Sequence, residues 1–249
     1  MNKVETLSRR GFLYQLSSFM LYPFLAQLEK YVLPLPHFIR GTEGDSRITL
    51  SFDDGWDPHL VAKTARLLLD LDVQATFFPV GERLGYSPGL YRDIVGSGKF
   101  ELQNHTWSHA NLASPDVNVR DEISRWEGAY SMAIGRDYTG FKLLRLPSNR
   151  GLGYPVMAVA KNMGYAGIAG WTVDSGGYRP GFNDQDVINY VIPRISDAVI
   201  ILCHFINDDI DVIPDIIERA GKLKLKFVTL SELLTGYHNR LQRGDISQK

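Results

Sequence analysis

Three short polar clusters and two isolated residues in this sequence could do chemistry. Ser51-Phe52-Asp53-Asp54-Gly55-Trp56 sets two carboxylates side by side, and Asn104-His105-Thr106-Trp107-Ser108-His109 sets two imidazoles four positions apart. Arg145 stands before Leu146-Pro147-Ser148, and an isolated acid and an isolated base follow at Asp174 and His204. Two histidines with one carboxylate are the ligand set of an open catalytic metal site, which leaves positions for water and substrate. Adjacent residues at a strand end point in different directions, so of Asp53 and Asp54 one can bind a metal while the other takes a proton. A metal held this way polarises a carbonyl and lowers the pKa of its water, and a separate, metal-free histidine suits protonation of a leaving group. Each cluster alone has a plainer reading. Asp-Asp-Gly is a common turn, two histidines at this spacing are often incidental, His204 could be a hydrogen-bonded core residue, and Arg145 could be a structural ion-pair partner. His37, His59 and His238 fit no cluster and read as surface residues.

The elements that must position these clusters alternate regularly. Strands are expected at Arg47–Phe52, Ala75–Val80, Phe100–Gln103, Phe141–Leu146, Tyr165–Trp171, Ala198–Cys203 and Phe227–Leu230. Between them, Asp57-Pro58 opens a helix to about Leu71, Ser87-Pro88 opens one that Gly96 or Gly98 closes, and Ser114-Pro115 opens a long one ending at Gly135. Further helices run from Pro155 to Gly164, Asp184 to Ile195, Ile213 to Ala220, and on from a cap at Ser231. Strands and helices in strict alternation imply a parallel sheet, and roughly 200 residues of the pattern favour a distorted (β/α)7-8 barrel in a single domain. In such a fold every C-terminal strand end lies on one face, so the three clusters and the two isolated residues, each at a strand end, converge. That convergence is what raises the catalytic reading above the plainer ones.

The 249 residues are an ordinary globular composition, with 27 Lys plus Arg against 28 Asp plus Glu. No net field favours nucleic acid or a charged membrane surface as a partner. The single cysteine, Cys203, excludes an internal disulfide and a cysteine-rich metal site, so any metal must use histidine and carboxylate. At the N-terminus, Thr6-Leu7-Ser8-Arg9-Arg10-Gly11-Phe12-Leu13 precedes a moderately apolar stretch to Ala26 and resembles a twin-arginine export signal. That stretch is short and polar for a membrane span. The expected organisation is an export segment at 1–27, a linker at 28–46, the catalytic domain at 47–236 and a tail at 237–249, in an exported protein of the periplasm, envelope or exterior. Membrane contact is expected only through the first segment, if it is not cleaved.

Taken together, the motifs resemble the polysaccharide deacetylase family, also known as the NodB homology domain or carbohydrate esterase family 4. Ser51-Phe-Asp-Asp-Gly55 and His105-Thr-Trp-Ser-His109 are similar to its first two motifs, and the stretch from Val212 to Leu233 is similar to its usual end. The resemblance implies Asp53 as catalytic base, Asp54, His105 and His109 as ligands of one divalent ion, and His204 as general acid. The ion implied is zinc, with Co2+, Mn2+ or Ni2+ as other candidates. It further implies that Arg145 orients Asp53, that the backbone N–H of Ser148 serves an oxyanion hole, and that Asp174 and Trp107 face the substrate. The implied reaction is hydrolysis of an acetamide or acetyl ester on a chitin-, peptidoglycan- or xylan-like polysaccharide or oligosaccharide. Three motifs depart from the family pattern: Ser148 replaces a tyrosine, Gly177 and Tyr178 stand where an aspartate and a tryptophan belong, and Phe205 follows His204. The missing aspartate normally tunes the acid histidine, and Asp174, Asp184 and Asp208 are the carboxylates placed to substitute. Two other readings follow from the departures: hydrolysis of a small amide, and a metal- and glycan-binding barrel with little turnover.

Overall fold

The computed structural model describes residues 35–44 and 46–242. The export segment read at 1–27 and the final residues of the tail lie outside them. The strands are β1 (His37–Phe38), β2 (Arg47–Asp54), β3 (Ala75–Pro79), β4 (Phe100–Leu102), β5 (Leu143–Leu144), β6 (Gly167–Ala169), β7 (Val173–Asp174), β8 (Ile200–His204) and β9 (Lys226–Phe227). They form one sheet in the order β4-β3-β2-β8-β7, with β9 also paired to β2, and a second in the order β1-β6-β5. Every ladder is parallel, as the alternation of strands and helices requires. The two sheets meet at a bridge between Asn104 and Leu144, so the expected α/β architecture is present with its strand pairing divided into two sheets. The stretch read as linker supplies β1, which lies against β6 and belongs to the fold.

β2 is the central strand and carries the polarity of the molecule in its alternation. Ile48, Leu50 and Phe52 enter the largest apolar cluster, while Thr49, Ser51 and Asp53 alternate with them and are also buried. Strand β8 pairs with β2 in a register that sets Phe52 beside Cys203 and Asp53 beside His204. In-register neighbours on adjacent strands project to the same face, so one ladder step brings a carboxylate and an imidazole together.

Most helices follow the local signals, but the short helix Asn207–Asp211 was not expected and the last helix begins at Leu230, with the expected cap Ser231 inside it. In helix Pro58–Asp70, Asp57 is the N-cap and its side chain accepts the His59 N–H at 2.8 Å, as Asp57-Pro58 led us to expect. The long helix instead runs Val119–Ile134, capped by Asn118 accepting from the Asp121 N–H at 3.1 Å, and Ser114-Pro115 lies in a turn before it. Its C-terminus is the expected Gly135, in the left-handed conformation with φ 79°. A six-residue helix, Gly81–Tyr86, follows β3 where no helix was expected. On the long helix, fully buried Trp126 donates its Nε1–H to Pro79 O at 2.7 Å, tying the helix to the end of β3.

Candidate metal centre and catalytic pocket

Asp54 closes β2, and the loop after β4 delivers both histidines. Asp54 Oδ1 lies 3.4 Å from His105 Nε2 and 3.3 Å from His109 Nε2. Ligand atoms of the three residues all fall within 4.8 Å of one another. Asp54 Oδ1 is buried and has no hydrogen-bond partner, an orphaned anionic oxygen facing two imidazole nitrogens. A divalent cation satisfies all three at once, so this donor set fits the metal implied by the sequence. His105 Nδ1 faces Arg145 O at 3.1 Å, which suits an Nδ1–H donor and leaves the Nε2 lone pair toward Asp54. Burial alone would raise the Asp54 carboxyl, but His105, His204 and His109 outweigh it and bring it down to about 2. Burial, and then the neighbouring His105, lower the His109 imidazole, which favours the neutral, ligating form.

The backbone around this cluster is held in unusual conformations. Asp54 (φ 78°), Thr106 (φ 67°), His109 (φ 60°) and Ser148 (φ 51°) are all left-handed without being glycine. Non-glycine residues in this region cost of order 1–3 kcal/mol and gather at ligand sites, where the surrounding structure imposes them. The His105–His109 loop is held by Asn104, whose Oδ1 accepts the Thr106 N–H at 2.7 Å, and by Glu122, 8 % exposed on the long helix. Its Oε2 accepts the Ser108 N–H at 2.9 Å and its Oε1 the Ser108 hydroxyl at 2.7 Å. Glu122→Ala should weaken metal affinity by about 10–100-fold, the usual effect of losing a group that orients ligands, with kcat recovering at saturating metal. A metal titration of the variant checks this.

Beside the cluster, Asp53 Oδ1 accepts from Arg145 Nη1 at 2.8 Å, and its Oδ2 lies 3.7 Å from His105 Nε2. Arg145 is fully buried and reaches across the interior between the two sheets. Nη1 also donates to Ser51 Oγ at 2.9 Å, Nη2 to Gly170 O at 3.2 Å and Nε to Ala169 O at 3.4 Å, and the guanidinium lies 4.0 Å from the centroid of the Phe78 ring. Rigid, bidentate-capable and always charged, it fixes the rotamer of Asp53.

These groups open into a cavity of about 340 Å³ lined by Asp53, Asp54, His105, His109, Leu146, Ser148, Trp171, Asp174, Tyr178, Leu202 and His204. A larger groove, between the Pro58–Asp70 and Ile213–Lys222 helices, is lined by His59, Lys63, Arg66 and Asp211 among others, but the clustered acids and imidazoles all belong to the smaller one. Of the nine residues singled out from sequence, eight therefore converge. Trp107 does not: its ring packs on Gly81 and under the Arg125 guanidinium, 4.5 Å from the ring centroid, and it lies outside the cavity lining. The tryptophan in the cavity lining is Trp171, and a second, Trp56, 46 % exposed, meets His109 edge-on at 6.0 Å. Asp174 lines the cavity but spends its carboxylate within its own loop, accepting from Gly176 N at 3.0 Å and the Tyr178 hydroxyl at 3.0 Å.

His204 lies 4.8 Å from the Tyr178 ring, centroid to centroid, with edge-to-face geometry. Burial depresses this imidazole, yet Asp209, Asp53 and Asp54 more than compensate, and its pKa is raised overall. The carboxylate behind it is none of those expected: it is Asp209, whose Oδ2 accepts the His204 backbone N–H at 2.6 Å and stands 3.7 Å from Nδ1. The sequence held one signal for this residue, an acid five positions beyond the candidate proton donor.

Parallel strand ends converging on two histidines and an aspartate define a class, the α/β proteins with an open metal-binding site at the C-terminal face of the sheet. Within that class the chain belongs to the polysaccharide deacetylase family, whose sequence profile matches residues 40–168. A peptidoglycan-N-acetylglucosamine deacetylase of Bacillus cereus is 27% identical over 198 residues, covering 77% of this chain and 89% of that one. The crystal structure of a peptidoglycan N-acetylglucosamine deacetylase bound to a hydroxamate-type benzamide superposes with a TM-score of 0.72 at 26% identity, over 84% of this chain and 96% of that one. A family pseudoenzyme from Bacillus anthracis shares the fold, with a TM-score of 0.72 at 20% identity over 81% and 69% of the two chains.

Proposed function

We propose that the protein is a divalent-metal-dependent deacetylase of an acetylated glycan, with Asp54, His105 and His109 holding the ion. The observation that carries this reading is the orphaned Asp54 Oδ1 between two imidazole nitrogens, with Asp53 anchored beside it by a buried arginine. A divalent ion held by Asp54, His105 and His109 would supply Lewis acidity and acidify water. Asp53 accepts the proton of the attacking water, and Arg145 keeps its free oxygen aimed at the cavity. The backbone N–H of Ser148 serves the developing oxyanion, a role that survives the exchange of side chain because it needs only the main chain. His204, across the ladder from Asp53, gives a proton to the departing nitrogen or oxygen, yielding acetate and the free amine or hydroxyl.

The support for a glycan is the family and the exposed Trp56 ring, which meets His109 at 6.0 Å and carries the Arg83 guanidinium 4.8 Å from its centroid. A flat apolar face beside a polar pocket suits the face of a sugar ring. Among the relatives, acetylated peptidoglycan and chitooligosaccharides are the named substrates, and we propose one of these polymers here. Zinc is the ion proposed, because two imidazoles and a carboxylate suit it best. Export is proposed on the resemblance of Thr6–Leu13, with its Arg9-Arg10 pair, to a twin-arginine signal. No helix among the described residues is long and apolar enough to cross a membrane.

The test is acetate release by the zinc-loaded protein from acetylated chitin oligomers, peptidoglycan and xylan. Turnover on one of these confirms the reading; metal bound stoichiometrically with no acetate from any of them overturns it. Trp56→Ala should raise KM for a tetrameric or longer oligomer by about tenfold, the equivalent of 1.4 kcal/mol, with kcat little changed.

A further inference from the structure

Among the described residues Asp209 is the one carboxylate with no exposed surface, and no lysine or arginine is paired with it. A buried carboxylate costs several kcal/mol unless hydrogen bonds or a counter-charge compensate. Asp209 has two such bonds, both on Oδ2: from the His204 N–H at 2.6 Å and from Ser175 Oγ at 2.9 Å. Its Oδ1 has no partner, and neither has His204 Nδ1, which stands 3.7 Å from Oδ2. Among the described residues the group positioned to answer the charge is therefore the His204 ring. Closing the gap by about 0.5 Å or more brings Nδ1 within hydrogen-bond range, and such bonds commonly tighten only when substrate binds.

A second observation, independent of the first, concerns position 177. A Cβ on Gly177 would overlap Asp209 Oδ1 and stand 3.1 Å from Asp209 Cγ. The backbone there is not one that demands glycine, since its φ is not positive. The glycine is thus explained by the space, which the Asp209 carboxylate occupies. Residue 177, three beyond Asp174, is where the resemblance places an aspartate that this sequence lacks.

We infer that Asp209 is the positioning residue of His204, and that the carboxylate this pocket needs has changed its place in the chain, from the loop after β7 to the short helix Asn207–Asp211 after β8. With Nδ1 turned to Asp209, Nε2 is the nitrogen left to face the cavity. The exchange keeps a carboxylate in the same volume while removing the side chain at 177 that would collide with it. The geometric part of this inference stands on the structure; its kinetic part rests on the deacetylase reading.

The test uses the full-length, zinc-loaded protein with Asp209→Asn, Asp209→Gly, Gly177→Ala and the relocation variant Gly177→Asp/Asp209→Gly. We expect Asp209→Asn to lower kcat by about 10–100-fold with KM and metal content unchanged. Gly177→Ala should do the same by displacing the carboxylate. The relocation variant should recover at least tenfold over Asp209→Gly, which a merely structural role cannot produce. Melting curves identify any variant that fails to fold, and the Gly177→Ala and relocation variants then carry the comparison. Independently of turnover, 15N NMR of the His204 ring should show an Nδ1-protonated form in the wild type that shifts in Asp209→Asn. A folded Asp209→Asn protein with unchanged kcat, or a His204 spectrum identical in both, overturns the inference. Absence of acetate release by the wild type would instead overturn the deacetylase reading, leaving the NMR comparison to decide the role of Asp209.

Discussion

Asp53→Asn is expected to lower acetate release by about 10³-fold, within the range for loss of a general base, while the protein folds and binds its metal as before. Asparagine keeps the shape of the side chain and an oxygen for Arg145, which donates to Asp53 Oδ1 at 2.8 Å. It cannot take a proton from water. Alanine would be a poorer probe, because Arg145 is fully buried and losing its partner costs about 3–5 kcal/mol in stability, which would confound the kinetics. Acetate release, metal content and a melting curve on the same preparation separate these effects. Turnover within a few-fold of wild type would remove Asp53 from the mechanism.

Asp54→Asn should have a comparable kinetic effect with the opposite metal result: the ion is lost, and acetate release falls by about 10³-fold. Asparagine tolerates the left-handed conformation that Asp54 adopts at φ 78°, so the substitution tests the charge and not the backbone. In the wild type, metal at a hundred times its Kd should stabilise the fold by about 2.7 kcal/mol, a rise in Tm of roughly 5–10 °C for a chain of this size. The variant should show little of that rise, and a chelator should abolish it in the wild type. Full zinc occupancy in Asp54→Asn would remove Asp54 from the ligand set. The pH dependence has a defined sign as well. With its carboxyl held down to about 2, Asp54 stays ionised through the whole neutral and mildly acidic range, so acid loss of metal above pH 4 is not assigned to protonation of this carboxylate.

Much of this architecture was legible in the sequence because its signals are local. Asp57-Pro58 and Gly135 mark helix ends by mechanisms confined to one turn, and the apolar run into β8 reads as a strand buried on both faces. The clustering of Asp54, His105 and His109 was legible because the two histidines share one loop and Asp54 ends a strand whose end must lie on the same face. What escaped depends on contacts between distant segments. Ser114 and Asn118 are both plausible caps, and only the folded chain shows that Asn118 takes the Asp121 N–H. Trp107 sits between the two histidines in sequence, but the left-handed Thr106 before it turns the loop and sends the ring onto Gly81. No local mark in the sequence singles out Asp209, because pairing a carboxylate with His204 depends on where the next helix begins; the neighbouring Asp208 differs from it by a single position.

The register of β2 against β8 sets Asp53 beside His204, so the proposed proton acceptor and proton donor are neighbours across one rung of the central ladder. Their separation is a property of the least deformable part of the molecule, and it does not depend on the loops that carry Ser148, Tyr178 or Trp56. The loops form an exchangeable rim over a fixed reactive floor. Sequence drift around the rim can change which sugar fits without retuning the distance over which protons move, whereas a one-residue slip in either strand would turn one of the two groups away and silence the chemistry altogether.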